Sequence, residues 1–118
     1  MIFPGDIRNL RVFLRPGPTD MRKQINSLTA MAEGEMGGAP CSGNLFAFCN
    51  RRGDLIKIVY YDCNGFCLWM KRLEKKDRFV WPRTAEECME ISAEQLIWLL
   101  RGLDFSNAHR EQHYSRVI

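Results

Sequence analysis

The sequence predicts an α+β protein: an antiparallel β-meander of four to five strands packed against two helices. Three observations predict it. Between 44 and 81, short runs rich in aromatic and β-branched residues alternate with turns of two to four residues. Such turns suit hairpins and are too short for the crossover that a parallel pair needs. Met21, Ile25, Leu28 and Ala32 recur at helical spacing. Ser92-Ala-Glu-Gln95 reads as a capping box ahead of an apolar stretch.

The elements follow in order. Ile7 to Leu14 reads as a strand, with Val12 and Leu14 on one face and Arg11, Phe13 and Arg15 on the other. Pro16-Gly-Pro18 is expected to stop it. Asp20 takes an N-cap position, which starts the first helix at Met21 and puts Arg22 and Lys23 in its first turn. Cations there oppose the helix dipole. Gly34, Gly37-Gly38 and Pro40 end the helix and give a mobile loop near 34–42.

Asn44–Asn50, Leu55–Tyr61 and Phe66–Leu73 are three strands. They are joined by Arg51-Arg-Gly-Asp54 and by Asp62-Cys-Asn-Gly65, where Asn-Gly favours positive φ. Glu74 to Asp77 is a charged turn, and Arg78 to Trp81 a short fourth strand of the block. Thr84 to Ile91 reads either as a short helix or as a loop with an edge strand at 88–91. After the cap, Leu96, Ile97, Leu99, Leu100 and Leu103 form an apolar helix face, and Gly102 suits the position after its C-cap. The polar tail from 106 reads as frayed.

With 118 residues the chain is expected to form one domain. A composition of 46% hydrophobic and 26% charged residues excludes disorder and coiled coils. No apolar run approaches the ~20 residues that span a bilayer, so no membrane partner is expected. Asp6, Arg8, Arg11 and Arg15 interrupt the apolar start, which argues against a signal peptide and for a cytoplasmic address. Five cysteines, an odd number, then read as reduced thiols.

The formal net charge is only +3, but it is unevenly spread. Residues 51–83 carry nine of the seventeen basic side chains against four acidic ones, while 84–118 carry three basic against six acidic. No phosphate-binding glycine loop or dinucleotide fingerprint is present. The only histidines, His109 and His113, lie in the tail. With Cys63 and Cys67 they make a zinc ligand set by type, but the two pairs are too far apart for a compact zinc module. No metal, no cofactor and no independent catalytic activity are expected.

The basic residues carry more. Arg51, Arg52, Lys71, Arg72, Lys75, Lys76 and Arg78 interleave with Tyr60, Tyr61, Phe66 and Trp69. Cations that contact phosphates beside aromatics that stack bases are a nucleic-acid pattern. Solvated turns, edge strands guarded by lysine and aromatics packed in the core account for the same residues more plainly. A surface for docking a protein partner stands beside the nucleic-acid reading, and the sequence leaves self-association into a homo-oligomer open.

A resemblance adds to this. Pro18-Thr-Asp-Met-Arg-Lys23, Ser42-Gly-Asn-Leu-Phe-Ala-Phe48, Asn50-Arg-Arg-Gly-Asp54, Lys57-Ile-Val-Tyr60, Asp62-x-x-Gly65-Phe-x-Leu-Trp-x-Lys-Arg-Leu-Glu74 and Phe79-x-Trp-Pro82 occur in series. The run resembles the TnpB-type accessory protein, from the second open reading frame, of the insertion-sequence family numbered sixty-six. The resemblance spans about Ile7 to Asp104. It implies a small accessory factor of DNA transposition, with the catalytic carboxylates in a separate transposase of the same element. DNA at the element's ends and that transposase are the implied partners. Arg22, Lys23, Arg51, Arg52, Lys71 and Arg72 belong to the family's motifs, and so does Trp69. Met70 stands where an aromatic is common, and the cysteines and the histidine pair lie outside the pattern.

Overall fold

The computed structural model describes residues 9–36, 43–84 and 90–104. The expected tail from 106, its histidines and most of the loop near 34–42 lie outside the described residues. The elements run β1 (Val12–Pro18), α1 (Ile25–Glu35), β2 (Leu45–Cys49), β3 (Leu55–Asp62), β4 (Gly65–Arg72), β5 (Glu90–Ile91) and α2 (Ala93–Leu100). They build one open sheet in the order β4-β3-β2-β1-β5. The α+β class, the two helices and the β2-β3-β4 meander are as the sequence predicts.

One pairing differs from a pure meander. β1 lies parallel to β2, with Val12 opposite Leu45 and Leu14 opposite Ala47. The chain passes through α1 between these strands, and a helical crossover returns the chain in the same direction. β5 then closes the other edge antiparallel to β1.

The pleat divides the apolar residues between two helices. Val12, Leu14, Leu45, Ala47, Ile56 and Ile58 face α2 and pack with its Leu96, Leu99 and Leu100. Phe46, Phe48 and Val59 face α1 and pack with its Leu28 and Ala32, flanked by Phe13. Phe13 stacks on Phe46 at 5.4 Å between ring centroids. Both faces of the central strands are covered, which is why all five residues of β2 are buried. Each buried Leu, Ile or Phe contributes roughly 1.5–3 kcal/mol of transfer free energy. Among the described residues, no helix is long and apolar enough to cross a membrane.

Local expectations meet the structure unevenly. α2 begins as predicted: Ser92 Oγ accepts from Gln95 N–H, and the Gln95 side chain accepts from Ser92 N–H. Gly102 follows its C-cap with φ +79°. α1 starts at Ile25, not Met21. Asp20 does not cap it: its carboxylate accepts instead from Arg22 N–H at 2.9 Å. The carbonyls of Met21 and Lys23 are taken by the Lys57 ammonium, at 2.7 and 3.0 Å. A carbonyl held that way is diverted from a helical turn. The helix also runs through Gly34 to Glu35. β1 continues through Pro16-Gly17-Pro18, with a register irregularity between Leu14 and Pro18. There Gly17 N–H turns away from β2 and donates to Pro82 O at 2.9 Å.

Arg78 to Trp81 is not a strand. Phe79 and Trp81 are anchored singly, Phe79 N–H to Gly53 O at 2.7 Å and the Trp81 indole N–H to Arg15 O at 2.9 Å. Their rings pack into the α2 side of the core. The remaining strand is the edge pair Glu90–Ile91, within the 88–91 segment of the edge-strand reading. The β3–β4 loop is Cys63-Asn64, because Asp62 pairs with Gly65. Positive φ falls on Cys63, at 52°, and not on the Asn-Gly pair.

A left-handed backbone at Cys63 carries a penalty that glycine lacks, partly offset by glycine's freedom when unfolded. Cys63→Gly is therefore expected to stabilise the protein by about 0.5–1 kcal/mol. Thermal unfolding should show a Tm roughly 2–6 °C higher; a lower Tm would contradict the assignment of strain to this turn.

Candidate nucleic-acid interface

Strand directions decide where the cations go. β2 ends at Cys49, β3 begins at Leu55 and β4 ends at Arg72, so the turn 50–54 and the segment after β4 leave the sheet at one end. β1 runs parallel to β2, so Gly17 and Pro18 arrive there too.

The turn is built around one side chain. Asn50 Oδ1 accepts from the N–H groups of Gly53, Asp54 and Leu55 at 2.9, 3.0 and 3.1 Å. Asn50 Nδ2 donates to Asp54 Oδ1 at 2.6 Å. Gly53 holds φ +78°, so a side chain there would be strained. Two carbonyls of this turn then collect the chain after β4. Leu73 N–H donates to Asp54 O at 2.7 Å, and Phe79 N–H donates to Gly53 O at 2.7 Å. The loop 74–78, with Lys75, Lys76 and Arg78, is thereby held at the same end as Arg51 and Arg52, with the Arg78 side chain beside Gly53.

Asp54 sits among these cations and is itself buried. The Asn50 hydrogen bond holds its carboxyl below the usual range, helped by the charges of Arg52, Arg78 and Arg72. The Arg52–Asp54 approach is long, 3.9 Å, and leaves Arg52 largely in solvent. Arg78 donates to the carbonyls of Lys75 and Asp77, at 3.2 and 2.7 Å, and fixes its own loop. A notch of about 70 Å³ opens between Arg51 and Arg83 and is also lined by Gly17, Gly53 and Trp81. Arg83 was not among the candidate residues; only the fold brings it beside the turn.

The other candidates are placed elsewhere. Lys71 faces α2, and its ammonium donates to Leu100 O at 2.7 Å, capping that helix's C-terminus. Arg22 and Lys23 lie on the α1 side, lining an open groove with Leu68. Arg22 is locked in a bidentate pair with Asp20 at 2.7–3.1 Å. Arg72 projects on this same face by the pleat, at the sheet's basic end. Tyr60 and Tyr61 stand near the opposite end and point to opposite faces. Tyr61 packs edge-to-face on Phe66 at 5.1 Å between centroids. Tyr60 and Trp69 pack half-buried against the α2-side core.

Lys57 is the cation whose role sequence reasoning missed. It is only 4% exposed, and it ties the 19–24 segment to the sheet through two carbonyls. Burial pushes the Cys49 thiol up to about 12, so it is an inert core residue. Among the described residues no cluster of His, Cys, Asp or Glu is suited to a metal.

Fold and site define a class: small α+β proteins whose positive charge is gathered at one end of an open five-stranded sheet. Within it, the chain belongs to the IS66 Orf2-like family, whose model matches residues 10–110. This is an accessory family of transposition. The chain is 41% identical over 110 residues to the uncharacterized protein y4hO of Sinorhizobium fredii (strain NBRC 101917 / NGR234), covering 93% of this chain and 95% of that one. It is 30% identical over 107 residues to the uncharacterized protein y4jC of the same strain, covering 91% of each. No solved structure matches the chain.

Two outcomes follow from this geometry. Asn50→Ala removes the acceptor of three turn amides and the donor to buried Asp54. It is expected to cost about 2–4 kcal/mol, read from the urea midpoint; a loss under about 0.5 kcal/mol would show the turn to be held otherwise. The Arg22 hydrogen bonds, first the side chain's and then the backbone's, bring the Asp20 carboxyl down from 3.8 to about 2. A group depressed in the folded state stabilises above its unfolded pKa, and that contribution fades as pH falls from near 4 towards 2. NMR titration should find the Asp20 midpoint near 2, and Arg22→Gln should move it back up; a midpoint that does not move would rule out the pair as its cause.

Proposed function

We propose that this protein is an accessory factor of DNA transposition that holds DNA by its phosphates at the basic end of the sheet, and so helps assemble the transposase–DNA complex. Catalysis is assigned to the separate transposase. The observation that carries this reading is the gathering of Arg51, Arg52, Arg72, Lys75, Lys76, Arg78 and Arg83 at one end through the Asn50 turn. All seven are exposed, and three carboxylates, those of Asp54, Glu74 and Asp77, lie among them. A cation cluster of this kind releases counterions when it meets a phosphate backbone. It reads no base sequence by itself. Arg22 and Lys23 would flank this contact on the α1 side, with Arg22 available once Asp20 lets it go. Lys71 would support it from within, as the cap of α2. Stacking by Tyr60, Tyr61 or Trp69 would need bases to reach beyond the basic end.

A second reading is docking onto the transposase without DNA contact. It is favoured by Val80 and Leu103, large apolar side chains 43% and 45% exposed on segments next to the basic end. It expects capture of the transposase in DNA-free extract, lost on Val80→Asp.

Fluorescence anisotropy with duplex DNA from the element's ends and a random duplex tests the first reading. Affinity is expected to fall steeply with salt, with a log–log slope of about −0.9 per phosphate engaged. Arg51→Gln and Lys76→Gln should each weaken binding about three- to tenfold and flatten the slope by about one. Arg11→Gln, at the other end of β1, should change it less than about twofold. A salt-independent affinity, or equal effects at both ends, would refute phosphate binding here.

A further inference from the structure

β4 forms one outer edge of the sheet. It pairs with β3 in unbroken register over eight residues, Gly65–Arg72. Edge strands are usually blunted by proline, a bulge or charge, because their free N–H and C=O groups template another strand. β4 has no proline and no bulge. Phe66 to Met70 is continuously apolar, and charge appears only at Lys71 and Arg72. Met70 is 58% exposed, the most exposed large apolar side chain among the described residues.

The hairpin fixes which groups face outward. In a two-residue loop the flanking residues, here Asp62 and Gly65, form the hydrogen-bonded pair, and every second pair repeats it. Leu73 N–H donating to Asp54 O agrees with that phase. Phe66, Leu68, Met70 and Arg72 therefore turn their backbone groups away from β3, and their side chains share the α1 face.

We infer that the occupant of this edge is a second copy of this chain, β4 against β4, antiparallel about a two-fold axis at Trp69. The strand is its own complement in that arrangement. Leu68 meets Met70 of the second copy, and Met70 meets its Leu68, so the exposed Met70 is covered. On the α2 face Trp69 meets its counterpart at the axis, an aromatic cross-strand pair. Charge selects the direction. Parallel pairing would set the Lys71-Arg72 pairs of the two copies side by side, which is repulsive. Antiparallel pairing carries each pair to the other copy's hairpin, away from its like-charged counterpart. Arg72 then lies against the second copy's Phe66–Tyr61 rings, a cation–π site, so in the dimer the basic end keeps its other six cations in solvent. The dimer carries its basic ends at opposite poles, and it stands whether or not those ends bind DNA.

Sedimentation velocity of the full chain tests this, from about 1 to 300 μM in reducing buffer, since a one-strand interface belongs to the small, transient class. A monomer–dimer equilibrium is expected within that range. Met70→Lys adds like charge at the edge, and Met70→Pro removes an outward N–H while sparing the β3 ladder. Each should weaken the dimer at least tenfold, with the far-UV circular dichroism of the wild-type monomer retained. A wild-type chain that stays monomeric, a dimer indifferent to both substitutions, or open-ended aggregates without a discrete dimer would each overturn the inference.

Discussion

The Asn50 side chain is the constraint on which the basic end of this protein depends. A single carbonyl oxygen satisfies three consecutive amides, and the same amide group holds the Asp54 carboxylate. With the turn closed, the carbonyls of Gly53 and Asp54 point where the chain after β4 must pass, and they collect it by two short hydrogen bonds. The cations of 51–52 and 72–78 are far from contiguous in sequence, and this arrangement makes them neighbours. Buried Asp54 has a structural part in that: a carboxylate amid several guanidinium groups relieves their mutual repulsion without covering them.

Two lysines show why charge alone could not be read as function. Lys57 and Lys71 belong to the densest basic stretch of the sequence, yet each ammonium donates to backbone carbonyls. Lys57 ties the segment before α1 to the sheet, and Lys71 caps the end of α2. In both, an ammonium at least partly withdrawn from water is stabilised by backbone carbonyls, those of the segment ahead of α1 for Lys57 and an unsatisfied C-terminal carbonyl of α2 for Lys71. The long flexible lysine stem makes this possible, and arginine's planar fork would fit it poorly. The fold uses some of its cations to position the segments that carry the others.

Much of the fold was legible because its signals are local. The meander followed from β-branched runs between short turns, and α2 from its capping box and following glycine. Three of the misreadings share one cause, a tertiary contact overriding a local rule. Asp20 read as a cap until Lys57 claimed the carbonyls that would have carried the helix back to Met21. Pro16-Gly-Pro18 read as a stop, but Gly17 found a partner in Pro82. Phe79 and Trp81 read as strand residues because apolar alternation does not distinguish a ladder from two anchored side chains. The site was legible in composition and not in space. Nothing in the sequence tells that Arg83 joins the turn, or that Tyr60 and Tyr61 stand near the other end of the sheet.

DNA phosphates are proposed to meet the protein at this turn-organised end. The most direct measurement is the change in backbone amide NMR shifts when a short duplex is added to the isotope-labelled chain. Shifts are expected to concentrate at 50–54 and 72–83 and to fade as salt is raised, with Cys63, Asn64 and the start of β1 unchanged. Shifts centred on the β3–β4 hairpin, or none at low salt with the protein folded, would contradict it.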